Sequence, residues 1–305
     1  INKHLPKNAY HSFAIMQHTT LFRILLAIIA ITLMLFALGP LLTAPAPTAV
    51  STLSADFSVE SVEIPAPQGV TVQGWLVRGK PGGGALLLVH SMRSNRMEML
   101  SRARFLKDQG YSVLFIDLQA HGETAGDHIT FGLREAENVE ASVAFLRKTF
   151  PSERIGAIGA SLGAAAIVLA RQDLKLDAVI LESLHPTIEE AVDNRLKLHF
   201  GDHGSILLPL MLWQLSFYLD VSLDALSPIT RINNLSAPVL FISGTHDVHT
   251  TQPETERLYA AARFPKELWI VPGAQHFNMH SYAGREYEQR VSDFLSYYLR
   301  PHDDG

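Results

Sequence analysis

Ser161 lies at the centre of the segment Gly159-Ala160-Ser161-Leu162-Gly163, which has the spacing G-x-S-x-G. An apolar run precedes this segment and a run of small residues follows it, so the pattern predicts a strand, a sharp turn and a helix. Glycines two residues either side of a serine leave room for a strained turn that exposes the hydroxyl at the start of the helix. A serine held in this way can attack a carbonyl carbon. The pattern alone leaves open that the serine only caps a helix.

Two residues late in the chain can activate such a serine. A serine hydroxyl is a weak nucleophile at neutral pH, and it needs a histidine base that is oriented by a carboxylate. Asp247 and His276 each follow a short apolar run that predicts a strand. Glu182 is the alternative acid and His280 the alternative base. His276 and His280 stand four residues apart, but no HExxH pattern accompanies them, so no metal site is predicted.

Short unbroken apolar runs recur along the chain, as expected for strands that are buried on both faces. These runs are residues 85–89, 113–116, 155–158, 178–181, 239–242 and 268–271. Helical candidates lie between them, at residues 95–109, 133–149, 162–172, 253–263 and 282–299. Residues 59–64 and 70–77 predict an antiparallel pair at the start. The pattern therefore predicts an α/β fold with a mostly parallel sheet and helices on both faces, in which functional residues gather at the carboxyl ends of the strands.

Residues 185–226 interrupt this alternation, because they contain no clear strand. We expect them to form a helical cap, inserted after the sixth strand and lying over the strand ends. Its apolar side chains are candidates for lining a substrate pocket. They are Met211, Leu212, Trp213, Phe217 and Tyr218. Two alternatives are that they pack the cap onto the body of the domain, or that this face contacts a bilayer.

Together these features resemble the α/β-hydrolase superfamily over residues 59–299, and most closely its capped serine hydrolases, which include esterases, lipase-like enzymes and peptidases. The resemblance rests on the serine turn at 159–163, Gly244-x-x-Asp247, Gly273-x-x-His276, His90 after the third strand, and Asp117-x-x-x-His121-Gly122 after the fourth. It implies an eight-stranded sheet, with Ser161 as nucleophile and His276 as general base and then acid. Asp247 is then the partner that orients the histidine.

The same resemblance implies two backbone donors for the oxyanion, the N–H groups of Leu162 and Met92. The sequence departs from the usual pattern at this point, because His90 is followed by Ser91 where these enzymes usually carry glycine. Ser91 either tolerates the geometry that glycine would adopt or contributes its hydroxyl. Since one such donor is typically worth about 10²- to 10³-fold in rate, the question bears on activity.

Composition excludes several classes of site. The 305 residues carry a formal charge of −5 and include no cysteine, which removes disulfides, thiolate catalysis and cysteine-based metal centres. Arginines at 93, 96, 102 and 104 are dispersed among apolar residues and predict a solvated helix face, so nucleic acid is not an expected partner. No cofactor is predicted, and the sequence does not specify an oligomeric state.

The N-terminal region carries a membrane signal. Residues 24–42 form a run of nineteen residues without a charge, long enough for a helix of roughly 28 Å. Lys3, Lys7 and Arg23 precede the run, and the next basic residue is Arg78. The positive-inside rule therefore predicts a transmembrane signal anchor with the following domain outside the cytoplasm. Secretion after cleavage of a signal peptide is the alternative.

The predicted organisation follows from these boundaries. Residues 1–23 form a short cytoplasmic segment, of which 1–15 are a candidate non-native start, and residues 24–42 form the anchor. Residues 43–56 form a solvated linker and residues 57–300 the hydrolase domain.

The sequence thus predicts a membrane-anchored serine hydrolase that cleaves an ester, thioester or amide of a small-molecule or lipid-like acyl substrate through an acyl-enzyme. A carboxylic-ester hydrolase is favoured and a peptidase is possible. Other cofactor-free chemistry on the same fold, or a catalytically silent tethered binding module, are the alternatives.

Overall fold

The computed structural model describes residues 7–51, 53, 57–276 and 278–300, in two units that divide between residues 42 and 43. Helix α1, Lys7–Thr43, lies in the first unit, apart from Thr43, which belongs to the second. Several large apolar side chains along α1 are exposed, among them Leu25, Ile28 and Phe36. Within the described residues, no helix combines the length and the hydropathy that crossing a membrane requires. The predicted transmembrane segment 24–42 is therefore not confirmed.

The second unit contains a sheet of eight strands. They are β1 Glu60–Pro65, β2 Thr71–Val77, β3 Ala85–Val89, β4 Ser112–Ile116, β5 Ile155–Ala160, β6 Ala178–Glu182, β7 Val239–Gly244 and β8 Lys266–Val271. Their order across the sheet is β1-β2-β4-β3-β5-β6-β7-β8. Strand β2 runs antiparallel to both of its neighbours, and all other pairs are parallel. The predicted mostly parallel eight-stranded sheet is confirmed.

The described residues of the second unit also include eight α-helices, and these cover both faces of the sheet except for the two that lie between β6 and β7. The eight helices are α2 Leu100–Asp108, α3 Glu135–Thr149, α4 Leu162–Val168, α5 Ile188–Phe200, α6 Leu208–Leu219, α7 Gln252–Ala261, α8 Met279–Ala283 and α9 Arg285–Leu299. Successive side chains of a strand point to opposite faces. Leu87 therefore belongs to the buried cluster that includes residues of α3, α4 and α7, whereas Leu86 and Leu88 belong to the cluster that includes residues of α2 and α9. The unbroken apolar runs follow from this, because strands β3 to β7 are buried on both faces.

All five predicted helices differ from the observed ones in their bounds, by one or two residues at 133–149 and 253–263 and by more in the other three. The candidate at 95–109 begins with a 3₁₀ turn, Arg96–Met99, before α2. The candidate at 162–172 ends at Val168, and the buried Leu169 and half-buried Ala170 that follow lead into exposed polar residues from Arg171. The candidate at 282–299 is divided at Gly284, whose φ of 50° belongs to the left-handed region that favours glycine.

The predicted cap lies between β6 and β7 and contains α5 and α6, joined by the 3₁₀ segment Gly201–Leu207. Thr187 begins α5 as an N-cap, because its side chain accepts a hydrogen bond from the backbone N–H of Glu190. Helix α6 ends at Asp220, which adopts a left-handed conformation.

The segment predicted as a solvated linker is attached to the domain where it is described. Ala46–Pro47 pairs in parallel with His121–Gly122, and the backbone N–H of Thr48 donates to Gly122 O at 2.9 Å. The backbone groups of this segment are hydrogen-bonded to the domain, whereas those of a solvated linker would be hydrogen-bonded to water. Residues 52 and 54–56 of the segment lie outside the described residues, as do 1–6 at the N-terminus.

Candidate active site

The turn between β5 and α4 holds Ser161 in an unusual backbone conformation, with φ 48° and ψ −106°. Non-glycine residues rarely adopt positive φ, and such strain of about 1–3 kcal/mol is tolerated where the surrounding structure fixes it. The backbone N–H of Ser161 donates to the carbonyl of Glu182 at 2.8 Å, which ties the turn to the end of β6. The sharp strand–turn–helix geometry predicted for the motif is present.

The two motif glycines are needed because backbone passes close to them. A β-carbon on Gly159 would lie 2.6 Å from the backbone nitrogen of Ala164, and one on Gly163 would lie 2.3 Å from Val89 O. Neither neighbour is a flexible side-chain tip, so any larger residue would force β3, β5 and α4 apart. The glycine spacing is therefore a packing requirement of the turn.

Ser161, His276 and Asp247 form one hydrogen-bonded series. His276 Nε2 lies 3.3 Å from Ser161 Oγ, and His276 Nδ1 lies 2.8 Å from Asp247 Oδ2. Asp247 Oδ1 accepts from the backbone N–H groups of His249 and Thr250, both at 2.9 Å. An ionised carboxylate only accepts hydrogen bonds, so the imidazole proton is assigned to Nδ1, and Nε2 is left to accept the serine proton.

Asp247 remains ionised although its side chain is fully buried. Burial by itself would raise the pKa of this carboxyl. The hydrogen bond to His276, the attraction that a protonated His276 ring would exert, and the backbone N–H of Thr250 outweigh burial and lower the pKa below its usual value. A fixed negative charge at this position can stabilise an imidazolium on His276 when a proton is transferred.

The alternative acid and base face other partners. Glu182 accepts from Arg102 Nε at 3.0 Å and from the hydroxyl of Tyr287 at 2.6 Å. His280 uses both ring nitrogens, with Ser101 Oγ at 3.0 Å and Glu288 Oε1 at 2.9 Å. Neither therefore replaces Asp247 or His276 in the series that reaches Ser161.

His90 joins the loops that follow β3 and β4. Its Nδ1 lies 2.7 Å from Ser91 O, and the backbone N–H of Leu118 donates to its Nε2 at 3.0 Å. One nitrogen thus donates and the other accepts, which describes a neutral imidazole. Burial lowers the pKa of His90, consistent with this protonation state.

The hydroxyl of Ser91 is directed at a carboxylate. Glu98 Oε2 accepts from Ser91 Oγ at 2.7 Å and from the backbone N–H of Ser91 at 3.0 Å. Ser91 therefore uses both donors to fix the loop that follows β3. Met92, next in this loop, is half-buried, and Leu162 begins α4 directly after Ser161. Their roles as oxyanion donors stay predictions.

No protein-family model matches the chain. The chain is 27% identical over 236 residues to the uncharacterized protein YqkD of Bacillus subtilis, which covers 76% of this chain and 77% of that protein. It is 24% identical over 267 residues to the alpha/beta hydrolase domain-containing protein WAV2 of Arabidopsis thaliana, covering 81% and 82% of the two chains. The structure superposes on esterase Pf2001 of Pyrococcus furiosus with a TM-score of 0.69 and 23% identity, over 84% of this chain and 98% of that one.

The chain has the α/β-hydrolase fold. A second similarity of the fold is to the acylaminoacyl peptidase of Pyrococcus horikoshii, with a TM-score of 0.59 and 19% identity, over 82% of this chain and 43% of that one.

A cavity of about 310 Å³ opens beside Ser161 in this α/β-hydrolase fold. Its described lining residues are Ser91, Ser94, Glu98, Ala160, Ser161, Glu182, Ser183, His276 and Asn278. All but Ala160 are polar. The residues that line this cavity therefore differ from the apolar cap side chains that were predicted to line a substrate pocket.

The cap residues predicted to line a substrate pocket do not line this cavity. Met211 is buried, whereas Trp213, Phe217 and Tyr218 are exposed, and Leu212 is half-buried. The rings of Trp213 and Phe217 stack on each other at 5.7 Å instead. Helix α6 is apolar around most of its circumference, so its sequence does not determine which face turns inward.

A buried ion pair lies beneath the serine turn and corrects the prediction of a solvated arginine face. Arg102 is fully buried, and its guanidinium donates to both oxygens of Glu182. Burial and the negative charge of Glu182 raise the pKa of Tyr287, so its hydroxyl stays protonated and donates to the same carboxylate. The backbone carbonyl of Glu182 accepts the hydrogen bond from the Ser161 N–H, so the buried ion pair is linked to the serine turn.

Arg96 is buried too, and it pairs with Asp117 at 2.7 Å and with Glu123. Its guanidinium lies 4.5 Å from the centre of the Trp75 ring. Asp117 also accepts from the backbone N–H groups of Arg96 and Glu123, which fixes the loop after β4. The spacing of the arginines did not indicate that Arg96 and Arg102 are buried. Each of the two pairs with a carboxylate at the end of a strand that is distant in sequence.

Proposed function

We propose that this protein is a serine hydrolase that cleaves an ester, thioester or amide through an acyl-enzyme on Ser161. The observation that carries the proposal is the hydrogen-bonded series from Ser161 Oγ through His276 to the buried Asp247. The positive φ of Ser161 and the two glycines beside it support the same function, because they present the hydroxyl at the start of α4. The esterases among structures of similar fold are consistent with it.

The geometry supports an acyl transfer in two steps. Ser161 Oγ attacks the carbonyl carbon while its proton passes to His276 Nε2, and the oxyanion is held by the N–H groups of Leu162 and Met92. His276 then gives the proton to the leaving group as the bond to the carbonyl carbon breaks. A water molecule then attacks the acyl-serine while His276 accepts one of its protons. His276 returns this proton to Ser161 Oγ as the acyl–oxygen bond breaks, and the acid product is released.

A fluorophosphonate probe tests the nucleophile directly. We expect the native protein to be labelled and Ser161→Ala to remain unlabelled. Ser94→Ala is the matched control, because Ser94 lines the same cavity while the His276 ring is hydrogen-bonded to Asp247 and Ser161, and it should still be labelled. Labelling that persists in folded Ser161→Ala would contradict the proposal.

The reaction class follows from turnover of defined substrates. We propose that carboxylic esters are the preferred substrates. Amides should react more slowly, since an amine is a poorer leaving group than an alcohol, and thioesters are compared with both. Turnover of p-nitrophenyl esters of graded length, aminoacyl p-nitroanilides and acyl thioesters measures this preference. Failure to hydrolyse any activated short-chain ester, in protein that the probe labels, would favour other chemistry on this fold.

We also propose that helix α1 attaches the protein to the cell membrane, with the hydrolase unit outside the cytoplasm. The uncharged run at 24–42 and the exposed apolar side chains of α1 support this location. Full-length protein should then stay with the membrane fraction during alkaline carbonate washing. Release by carbonate would contradict anchoring, and a new N-terminus after residue 42 would instead indicate secretion after cleavage.

A further inference from the structure

The cavity beside Ser161 is lined mostly by residues that carry polar groups. Ala160 is the only apolar residue among the described residues that line it. An acyl chain would lie against the hydroxyl, amide and carboxylate groups of these side chains as well as against their carbon atoms. The volume of about 310 Å³ is at the lower end of the range for small-molecule sites. A short group with polar atoms can therefore use the hydrogen-bonding groups of this cavity.

The charges around the cavity have one sign. Glu98 and Glu182 are the two charged residues that line it, and both are acidic. Glu182 is balanced within the protein by Arg102 and by the hydroxyl of Tyr287. The negative charge of Glu182 is therefore already compensated.

Glu98 lacks a comparable partner. Its Oε2 accepts from the N–H and hydroxyl of Ser91, which are neutral donors. The ion pairs formed by the described residues do not include Glu98. Arg96 and Arg102, on the same segment, form their ion pairs with Asp117 and Glu182, although the charge of Glu98 also attracts Arg102 through space. A carboxylate at a half-buried site attracts a cation more strongly than one in bulk water would.

We propose that Glu98 selects substrates that carry a positively charged group, such as an ammonium, close to the scissile bond. This inference rests on the proposed serine hydrolase function and names the substrate class of the same site. Ser94 and Asn278 add hydrogen-bonding groups to the cavity. Asn278 Nδ2 also donates to the backbone carbonyl of Glu98 at 3.3 Å, which holds the carboxylate-bearing turn against the segment that follows His276.

A pair of phosphonate probes isolates the charge. Both are p-nitrophenyl methylphosphonates; one carries a 2-(trimethylammonio)ethyl ester and the other a 3,3-dimethylbutyl ester, which has nearly the same shape without the charge. Ser161 Oγ attacks phosphorus, the serine proton passes to His276, and p-nitrophenolate leaves. Its release gives a second-order rate constant for each probe, which is divided by the rate of the same probe with hydroxide to remove intrinsic reactivity.

We expect the charged probe to react with the native protein at least about tenfold faster, which corresponds to about 1.4 kcal/mol. The ratio of the two rates should fall towards one in Glu98→Gln, because glutamine keeps an oxygen that can accept from Ser91 but carries no charge. Ser91→Ala is the matched control. It removes a hydroxyl contact of Glu98 and retains the negative charge, so its ratio should stay close to the native one.

The possible results separate this inference from the function on which it rests. A native ratio of one or less, with both probes reacting at Ser161, overturns the inference and leaves the serine hydrolase standing. A high ratio that survives in Glu98→Gln, or that is lost equally in Ser91→Ala, also overturns it. If neither probe reacts at Ser161 of folded protein, the proposed function fails and the inference fails with it.

Discussion

Replacing Arg102 with methionine tests whether the buried ion pair supports the serine turn. The side chain of Arg102 is 0% exposed and that of Glu182 is 2% exposed, so the substitution leaves a carboxylate in the interior with only the hydroxyl of Tyr287 beside it. Removing one partner of a buried pair typically costs about 3–5 kcal/mol, because the remaining charge loses its compensation. We therefore expect Arg102→Met to lower the free energy of unfolding by about that amount, or the melting temperature by roughly 10 °C.

Urea unfolding followed by tryptophan fluorescence measures this change. Trp75 and Trp269 are buried in the hydrolase unit and report its unfolding, whereas Trp213 is exposed in the folded state. The double variant Arg102→Met with Glu182→Leu removes both charges and should recover part of the lost stability, since no unpaired charge remains. A loss of unfolding free energy below about 1 kcal/mol in Arg102→Met would refute this account. So would a loss in the double variant that exceeds the summed losses of the two single variants.

The remaining predictions concern the site and its pH dependence. Asp247→Asn should lower kcat by about 10²- to 10⁴-fold with the fold retained, because the imidazole loses the carboxylate that orients it; steady-state kinetics and circular dichroism check this, and near-native kcat would exclude Asp247 as the orienting group. Gly163→Ala should impair folding, because its β-carbon would lie 2.3 Å from Val89 O; an unchanged melting temperature would contradict the packing argument. The lowered pKa of Asp247 means that the unfolded chain binds this proton more readily than the folded one. Its contribution is therefore present above the unfolded pKa and lost as the pH falls through the folded pKa, so melting temperatures between pH 5 and pH 3 should fall more steeply for the native protein than for Asp247→Asn.

The sequence was sufficient to predict the sheet because strands buried on both faces are written as short apolar runs. The same runs located the site, since the carboxyl ends of neighbouring parallel strands meet at one edge of a sheet. Ser161, Asp247 and His276 each follow such a run, and the structure brings their side chains together. The site could be predicted because it depends on short-range features of the sequence. The glycines determine the turn at Ser161, and the strand pattern determines where each loop begins.

Other features depended on how distant elements pack. Glu98, Arg102 and Tyr287 lie on helical segments whose sequences are compatible with solvent, and only the docking of α2 and α9 against the sheet buries Arg102 beside Glu182. The orientation of α6 in the cap could not be predicted either. This helix is apolar on several faces, so its sequence does not determine which face is buried. Periodicity by itself determined which segments are strands and where the reacting groups lie along the chain. Tertiary structure alone decided which charges are paired, and that the cavity beside Ser161 is polar, because both depend on contacts between residues far apart in sequence.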